Sequence, residues 1–259
     1  SIDNQATAIL SSTDQRDLFD TQWAATTALC LANLNQKSTT FFKMVCRNMD
    51  IILEKGSNLH VSNLCYAFSV LNLPMEPVYE EAFRKLWDKA ISLNQGDLDQ
   101  GMQIQLLQTY VMISNRMEIP PPNHVLQSSK SLQLPAHRSK AQKLMSTLLK
   151  EIGFQHAMEV SPFPDDWMIP MPKGLLAIDA ACTDRKIAIE FNGPQHFICQ
   201  KKYGTAGVLV KDGPTLAKRR LLEDLGWQVI DVDFFEWAQR KTKAARKQLL
   251  MQKLANAKG

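Results

Sequence analysis

Two acidic residues, Asp179 and Glu190, lie in neighbouring apolar segments of the sequence. The segments Leu175–Ala181 and Lys186–Asn192 each predict a β-strand, and Asp184-Arg185 between them predicts a two-residue turn. With that turn, Asp179 is directly opposite Glu190 in an antiparallel pair, where facing Cβ atoms are roughly 4.5–5.5 Å apart. The sequence therefore predicts two carboxylates that face each other across a hairpin.

This carboxylate pair has chemical rather than structural value. Strand alternation directs Ile187, Ile189 and Phe191 toward a core and leaves Asp179 and Glu190 on the other face, which alanines otherwise keep clear. Like charges directly opposite each other repel. Either a divalent cation such as Mg²⁺, which carboxylate oxygens bind, or a nearby Lys or Arg would relieve the repulsion. Asp179 and Glu190 are therefore candidate metal ligands and candidate catalytic residues.

The elements predicted around the hairpin have the order α-β-β-β-α-β-α. They are a helix from Ser139 to Ile152, a strand near Phe154–Val160, the two hairpin strands, a helix over Pro214–Leu225, a strand over Trp227–Val232 and a basic helix from about Glu236. This order resembles the core of the PD-(D/E)xK nuclease fold.

The N-terminal half of the chain predicts helices instead. Apolar residues recur at helical spacing from about residue 14 to 114, and Leu34-Asn35 aligns with Leu71-Asn72 at an offset of 37. A looser third copy follows near Leu106. Repeats of this length indicate stacked helix pairs, and a plain helical bundle is the alternative. Five or six helices are fewer than most solenoids contain, so we expect further repeats before Ser1.

We therefore predict an α+β chain of two domains. A helical-repeat region over residues 1–118 is followed by a proline-rich linker over 119–137, since consecutive prolines from Pro120 to Pro122 oppose helix formation. Residues 138–259 form a nuclease-like α/β domain with a central mixed sheet.

Charge and composition limit the functions that this chain can have. Residues 1–135 carry 10 Lys/Arg and 13 Asp/Glu, a net charge of −3, whereas residues 136–259 carry 20 and 13, a net charge of +7. This asymmetry indicates a basic binding half or, alternatively, a solvated lysine-rich face. No apolar run approaches the roughly 18 residues of a membrane span. Five scattered cysteines favour a reducing compartment over disulfides or a zinc site, and no targeting segment is recognisable.

Clusters of basic residues in the second half predict contacts to RNA phosphates. His196 is a further candidate, although such a histidine more often holds a loop by hydrogen bonding. The candidate RNA-binding residues are His196, Lys201, Lys202, Lys218, Arg219, Arg220, Arg240, Lys241, Lys243, Arg246 and Lys247.

The C-terminal sequence resembles the RAP domain, a family found in proteins of organelles. The resemblance covers residues 175–240, and the segments that carry it are Leu176–Asp179, Lys186–Phe197, Thr215–Leu222, Leu225–Ile230 and Phe234–Trp237. The helical copies upstream resemble the octotricopeptide-type repeats that commonly precede such a domain.

The resemblance implies a role with RNA in mitochondria or chloroplasts, and kinship with PD-(D/E)xK nucleases. In those enzymes the acids matched by Asp179 and Glu190 hold the metal, and a lysine two places after the second acid helps to activate water. This chain has Asn192 there, and Lys186 lies roughly 13 Å away along the strand. The prediction is therefore a non-catalytic RNA-binding protein that requires no cofactor, with Mg²⁺ binding left open.

Several alternatives remain at this point. The protein is a maturation or stability factor for transcripts or rRNA, or a subunit of an organellar ribosome that contacts ribosomal proteins; we expect mitochondria rather than chloroplasts, and no membrane partner. A Mg²⁺- or Mn²⁺-dependent endoribonuclease and a protein-interaction scaffold without RNA contact are the other two hypotheses.

Overall fold

A computed structural model describes residues 19–129, 138–164, 167, 171–172, 174–200 and 207–257 of the chain. The chain divides into two compact units, one of residues 1–129 with 212–217 and the other of residues 130–211 with 218–259. Among the described helices, none combines the length and the apolar character that crossing a membrane requires.

The first unit is helical. Its helices are α1 (Thr21–Asn33), α2 (Thr39–Arg47), α3 (Met49–Lys55), α4 (Asn58–Val70), α5 (Pro77–Ile91), α6 (Gln100–Ile113) and α7 (Asn123–Ser129). Helix α4 packs between α1 and α6, and most of its residues are buried. An apolar surface nearly all round a helix is what such a central position requires.

Helices α1 and α4 show the 37-residue spacing that the sequence indicates. Both are 13 residues long, and their first residues, Thr21 and Asn58, are 37 positions apart. Each helix is followed by an asparagine in the left-handed region, Asn35 (φ 49°) and Asn72 (φ 57°), a conformation that asparagine tolerates better than most residues. The assignment to octotricopeptide-type repeats stays a prediction.

The predicted linker over residues 119–137 does not hold for its central part, because residues 123–129 form helix α7. The helix begins directly after the three prolines. Their carbonyl groups can still accept hydrogen bonds, and Val125 N–H donates to the carbonyl of Pro122 at 2.9 Å. Burial of Val125 and Leu126 then stabilises the helix. Residues 130–137 lie outside the described residues, and the predicted domain boundaries stay predictions.

The second unit has the predicted order of core elements around a mixed sheet, so the α+β class is confirmed. Its elements are α8 (Lys140–Glu151), β1 (Ala157–Val160), β2 (Ile178–Cys182), β3 (Ile187–Asn192), β4 (Phe197–Gln200), β5 (Val208–Lys211), α9 (Gly213–Asp224) from Lys218 onward, β6 (Gln228–Asp233), α10 (Phe234–Gln239) and α11 (Lys243–Asn256). The sheet order is β1-β2-β3-β6. Strands β1, β2 and β3 are antiparallel neighbours, and β6 is parallel to β3.

Helices cover both faces of this sheet. On one face, Ile187, Ile189 and Phe191 pack against apolar side chains of α8, α10 and α11. On the other face, Ala181 and Ala188 form a smaller cluster with side chains of α9 and the start of β6. Glu190 and Asn192 alternate with the first set along β3 and therefore belong to the α9 side. The unit consequently has three layers, with α8 and α11 on one side and α9 on the other.

Two features of this unit were not predicted from the sequence. Strands β4 and β5 form a separate two-stranded ribbon, whose exposed Val208 and Leu209 give no alternation of apolar and polar residues. The predicted basic helix from Glu236 is also two helices, α10 and α11. Thr242 separates them because its side chain accepts a hydrogen bond from Ala245 N–H at 3.1 Å and so begins a new helix.

We expect Gly226→Ala to lower the free energy of unfolding by about 1–2 kcal/mol, because Gly226 ends α9 in a left-handed conformation (φ 80°). Gly96→Ala is the matched control, since an added Cβ lies in open space at both positions and only the backbone angle differs. Urea denaturation of the full chain measures both variants. Equal stabilities for the two would contradict the role given to Gly226.

Candidate functional site

The hairpin of β2 and β3 has the register predicted from the sequence. Ala180 pairs with Ile189, and Ala181 pairs with Ala188. A turn follows β2, in which Lys186 N–H donates to the Thr183 carbonyl at 3.1 Å. Continuing this register by one residue places Asp179 opposite Glu190. The juxtaposition of two carboxylates on the α9 side of the sheet is therefore confirmed.

A lysine from α9 lies beside this pair. Lys218 Nζ donates to Glu190 Oε2 at 2.6 Å and to the carbonyl of Ala177 at 2.7 Å. Asp179 Oδ2 accepts a hydrogen bond from the backbone N–H of Phe191 at 2.8 Å. The repulsion between the two carboxylates is thus relieved by a basic side chain, which is one of the two possibilities that the sequence left open.

Glu190 is poorly solvated, with 12% of its side chain exposed. Its second oxygen, Oε1, is buried and has no hydrogen-bond partner within the described part of the chain. Burial raises the pKa of Glu190 to about 7, the neighbouring carboxylate of Asp179 also raises this pKa, and Lys218 only partly offsets these effects. Glu190 therefore exchanges its proton near neutral pH.

Strand β6 adds further carboxylates on the same face. Its parallel register places Asp231 beside Glu190 and Asp233 beside Asn192. The amide of Asn192 donates to Asp231 Oδ1 at 2.8 Å and to Asp233 Oδ1 at 2.9 Å. Lys211 Nζ lies 2.6 Å from Asp231 Oδ2 and 3.4 Å from Asp233 Oδ1. The carboxylates of β6 are thus held by an amide and an ammonium group.

Arg219 completes this network, since it pairs with Asp231 and, at 2.8 Å, with Glu223. Burial by itself raises the pKa of Asp231, but hydrogen bonds from Lys211 and Asn192 and the charges of Lys211 and Arg219 lower it overall. Asp231 is therefore held as a carboxylate, whereas Glu190 on the neighbouring strand has a pKa near neutral pH.

Sequence reasoning missed four residues of this cluster: Glu159, Lys211, Asp231 and Asp233. The alternation of Val229, Asp231 and Asp233 along β6 carried a signal, because a parallel partner of β3 brings these positions to the face of Glu190. Glu159 gave no comparable signal. It adopts a left-handed conformation in β1 (φ 57°), and burial and the charge of Asp179 raise its pKa.

The cluster does not have the donor set of a Mg²⁺ site. Over the described residues, no group of three or more His, Cys, Asp and Glu side chains is placed to hold a metal ion. The ammonium group of Lys218 already lies against Glu190, and an oxygen of Asp179 is engaged by Phe191 N–H. Mg²⁺ requires near-octahedral oxygen ligation, which this arrangement does not fit. Metal binding by Asp179 and Glu190 stays a prediction.

Two candidate RNA-binding residues, Lys218 and Arg219, take part in this network. Lys218 and Arg219 are paired with carboxylates, and Arg220 is half-buried on the same helix. His196 is half-buried in the short 3₁₀ turn Pro194–His196 that follows β3. Lys201 and Lys202 lie outside the described residues.

The basic residues near the C-terminus fall into two groups. Lys247 pairs with Glu151 at 2.6 Å, and the guanidinium of Arg246 lies 5.1 Å from the ring centre of Trp237. These two residues dock α11 on the domain, as does Lys253 through an ion pair with Glu236 at 2.6 Å. A second group, Lys241 and Lys243, is exposed, and Arg240 is half-exposed.

The aromatic residues around α10 divide in the same way. Trp237 is buried against Phe191, and Phe235 packs edge-on against Phe197 with ring centres 4.7 Å apart. Phe234 is 37% exposed. Of these aromatic side chains, Phe234 is therefore the most accessible to a nucleic-acid base.

Comparison with known proteins adds the family. Residues 189–253 match the RAP domain. This part of the chain is a RAP domain. The match begins in β3, includes Glu190, Lys218 and Asp231, and ends in α11. The recognition of this domain from sequence is confirmed.

One curated relative is a RAP domain-containing protein, chloroplastic, of Oryza sativa subsp. japonica. It is 24% identical over 184 residues, which are 68% of this chain and 26% of the relative. The chain thus spans about a quarter of the length of that relative.

We predict that Glu190→Gln changes how the stability of the RAP domain depends on pH. The folded pKa of Glu190 is raised to about 7, above roughly 4.3 for an unfolded glutamate. The contribution of Glu190 to the free energy of unfolding is therefore fully present below the pKa of the unfolded chain, and it is lost as the pH rises toward 7. Urea denaturation at pH 5, 6, 7 and 8 should show Glu190→Gln gaining a few kcal/mol relative to the natural protein.

Glu223→Gln is the control, since it makes the same chemical change at an exposed site of α9. The opposite result would be a natural protein whose free energy of unfolding rises relative to that of Glu190→Gln as the pH increases. It would show that the attraction of Lys218 affects the pKa of Glu190 more than burial does.

Proposed function

We propose that this chain is part of a non-catalytic RNA-binding protein of an organelle. The observation that carries the proposal is the ion pair of Lys218 with Glu190, which places a fixed cation where a nuclease of this fold requires a metal ion. The RAP domain match and the net charge of +7 over residues 136–259 support the nucleic-acid partner.

The absence of catalysis follows from the chemistry of the cluster. Metal-assisted hydrolysis requires a bound ion and an activated water molecule. Asn192 cannot accept a proton from water, and its amide is engaged by Asp231 and Asp233. Lys218 cannot do so either while it is an ammonium group that donates to Glu190 and Ala177. The acidic cluster then serves to hold α9 on the sheet.

The cellular setting is proposed from the relative. The rice protein is named chloroplastic, which supports an organelle for this chain and gives no support to the mitochondrial preference of the sequence analysis. Within an organelle we propose a role in the maturation or stability of transcripts or rRNA, or a place as a ribosomal subunit. Co-sedimentation with ribosomal particles through high salt would distinguish the subunit from a free factor.

The test of the proposal combines binding and cleavage on the full chain. A labelled single-stranded RNA is expected to bind with an affinity that falls steeply with salt, since phosphate contacts release counterions. It is expected to stay intact for hours with Mg²⁺ or Mn²⁺. Cleavage that disappears in Asp179→Asn and Glu190→Gln would overturn the proposal in favour of an endonuclease. Absence of RNA binding at 50 mM salt would also overturn the proposal, in favour of a protein-interaction scaffold without RNA contact.

We further predict that Lys218→Met makes the domain responsive to metal. Removing the ammonium group leaves Glu190 without its buried partner and should lower the free energy of unfolding by about 3 kcal/mol. Mg²⁺ at 10 mM should then raise the melting temperature of Lys218→Met by several degrees, because a divalent cation reduces the carboxylate repulsion, and should leave the natural protein unchanged.

Lys85→Met, at an exposed ion pair of α5, is the control for this experiment. An equal response of the natural protein to Mg²⁺ would show that Lys218 does not exclude the ion.

A further inference from the structure

The excess of positive over negative charge in the C-terminal half lies in two helices and one connecting segment. Residues 140–151 and 240–256 together contain nine Lys/Arg and one acidic residue, Glu151, a net charge of +8. Because residues 136–259 have a net charge of +7, everything else in that half sums to −1. The charge asymmetry of the sequence therefore belongs to α8, α11 and the segment 240–242.

Helix α8 directs its lysines outward. Its buried residues, Met145, Leu148 and Leu149, face the sheet, whereas Lys140, Lys143 and Lys150 are exposed. Positions separated by three, seven and ten residues lie on one side of an α-helix. These three lysines therefore form one stripe, roughly 15 Å long at the rise of an α-helix. No carboxylate of a described residue pairs with any of them.

Helix α11 extends the stripe, because it packs beside α8 on the same face of the sheet. Lys247 Nζ lies 2.6 Å from Glu151 Oε2 at the end of α8. The hydrogen bond from Lys247, together with the charges of Lys247 and Lys243, lowers the pKa of Glu151. The single carboxylate of these segments is thus neutralised, and Lys243 and Lys150 lie at the same end of the helix pair.

The opposite side of the sheet has the reverse character. There the cations Lys211, Lys218 and Arg219 are paired with carboxylates of β3 and β6. Glu159 and Asp179 add further negative charge. A polyanion approaching that side meets buried carboxylates and no comparable row of unpaired lysines among the described residues.

We propose that the exposed face of α8 and α11 binds the phosphate backbone of RNA, on the side of the sheet away from Asp179 and Glu190. This inference rests on the proposed RNA-binding function and gives it a location. Arg246, Lys247 and Lys253 dock α11 on the domain, and five of the other six basic residues are lysines. Lysines contact phosphates as point charges and lack the forked geometry with which arginine reads base edges. The surface therefore holds RNA without selecting its sequence.

The decisive experiment removes the α8 stripe as Lys140→Gln/Lys143→Gln/Lys150→Gln in the full chain. The probe is a labelled single-stranded RNA of 20 nucleotides, titrated at several salt concentrations. We expect at least a tenfold loss of affinity at about 0.1 M salt and a salt slope smaller by roughly 2, because three phosphate contacts are lost. Circular dichroism should be unchanged, since all three side chains are exposed.

The matched control removes three positive charges elsewhere, as Lys43→Gln/Lys85→Gln/Lys89→Gln in α2 and α5. This control is expected to bind within twofold of the natural chain. Equal losses of RNA affinity in both triple variants would show that only the net charge matters and would overturn the proposal. Unchanged RNA affinity of the α8 variant would overturn it as well. Competition by polyglutamate as effective as that by RNA would also overturn it, in favour of an acidic protein partner.

The outcome separates the two proposals. A natural chain that fails to bind the probe at 50 mM salt refutes the RNA-binding function itself, whereas binding that survives the α8 substitutions refutes only the location.

Discussion

The C-terminal unit depends on the contact of Lys218 with Glu190. A glutamate carboxylate that is mostly excluded from water is costly, and here it lies opposite a second carboxylate in the hairpin of β2 and β3. Lys218 spans from α9 to the sheet and also donates to the carbonyl of Ala177, the residue before β2. One ammonium group thus fixes the position of a helix, a strand end and a buried acid. The counter-ion of this buried acid is thus a side chain of α9.

This constraint divides the unit into two electrostatic halves. The α9 side pairs its charges internally, so its cations stabilise the domain and are poorly available to a ligand. The α8 and α11 side has an apolar interior and an outer surface of lysines. The sheet therefore separates the paired acidic cluster from the surface of exposed lysines.

Local rules predicted the hairpin well and the long-range contacts poorly. The register of Ala180 with Ile189 followed from strand alternation and a short turn, both of which are properties of contiguous sequence. The role of Lys218 did not follow, since its partner Glu190 is 28 positions away and a basic run on a helix has the same pattern when it faces solvent. Asp231 and Asp233 were missed for the same reason. Lys140, Lys143 and Lys150 were dispersed along α8, and only its docking on the sheet gathers them beside α11.

The hydrogen bonds of Asn192 have a consequence for chemical ageing. Asn192 precedes Gly193, and an asparagine before glycine loses its amide readily when the backbone is free to cyclise. In the folded chain this side chain is 4% exposed and donates to both carboxylates of β6, which restrains that cyclisation. Conversion to aspartate would set a third negative charge against those two and remove both donors. Folding thus protects Asn192, whose conversion would remove two hydrogen bonds between β3 and β6.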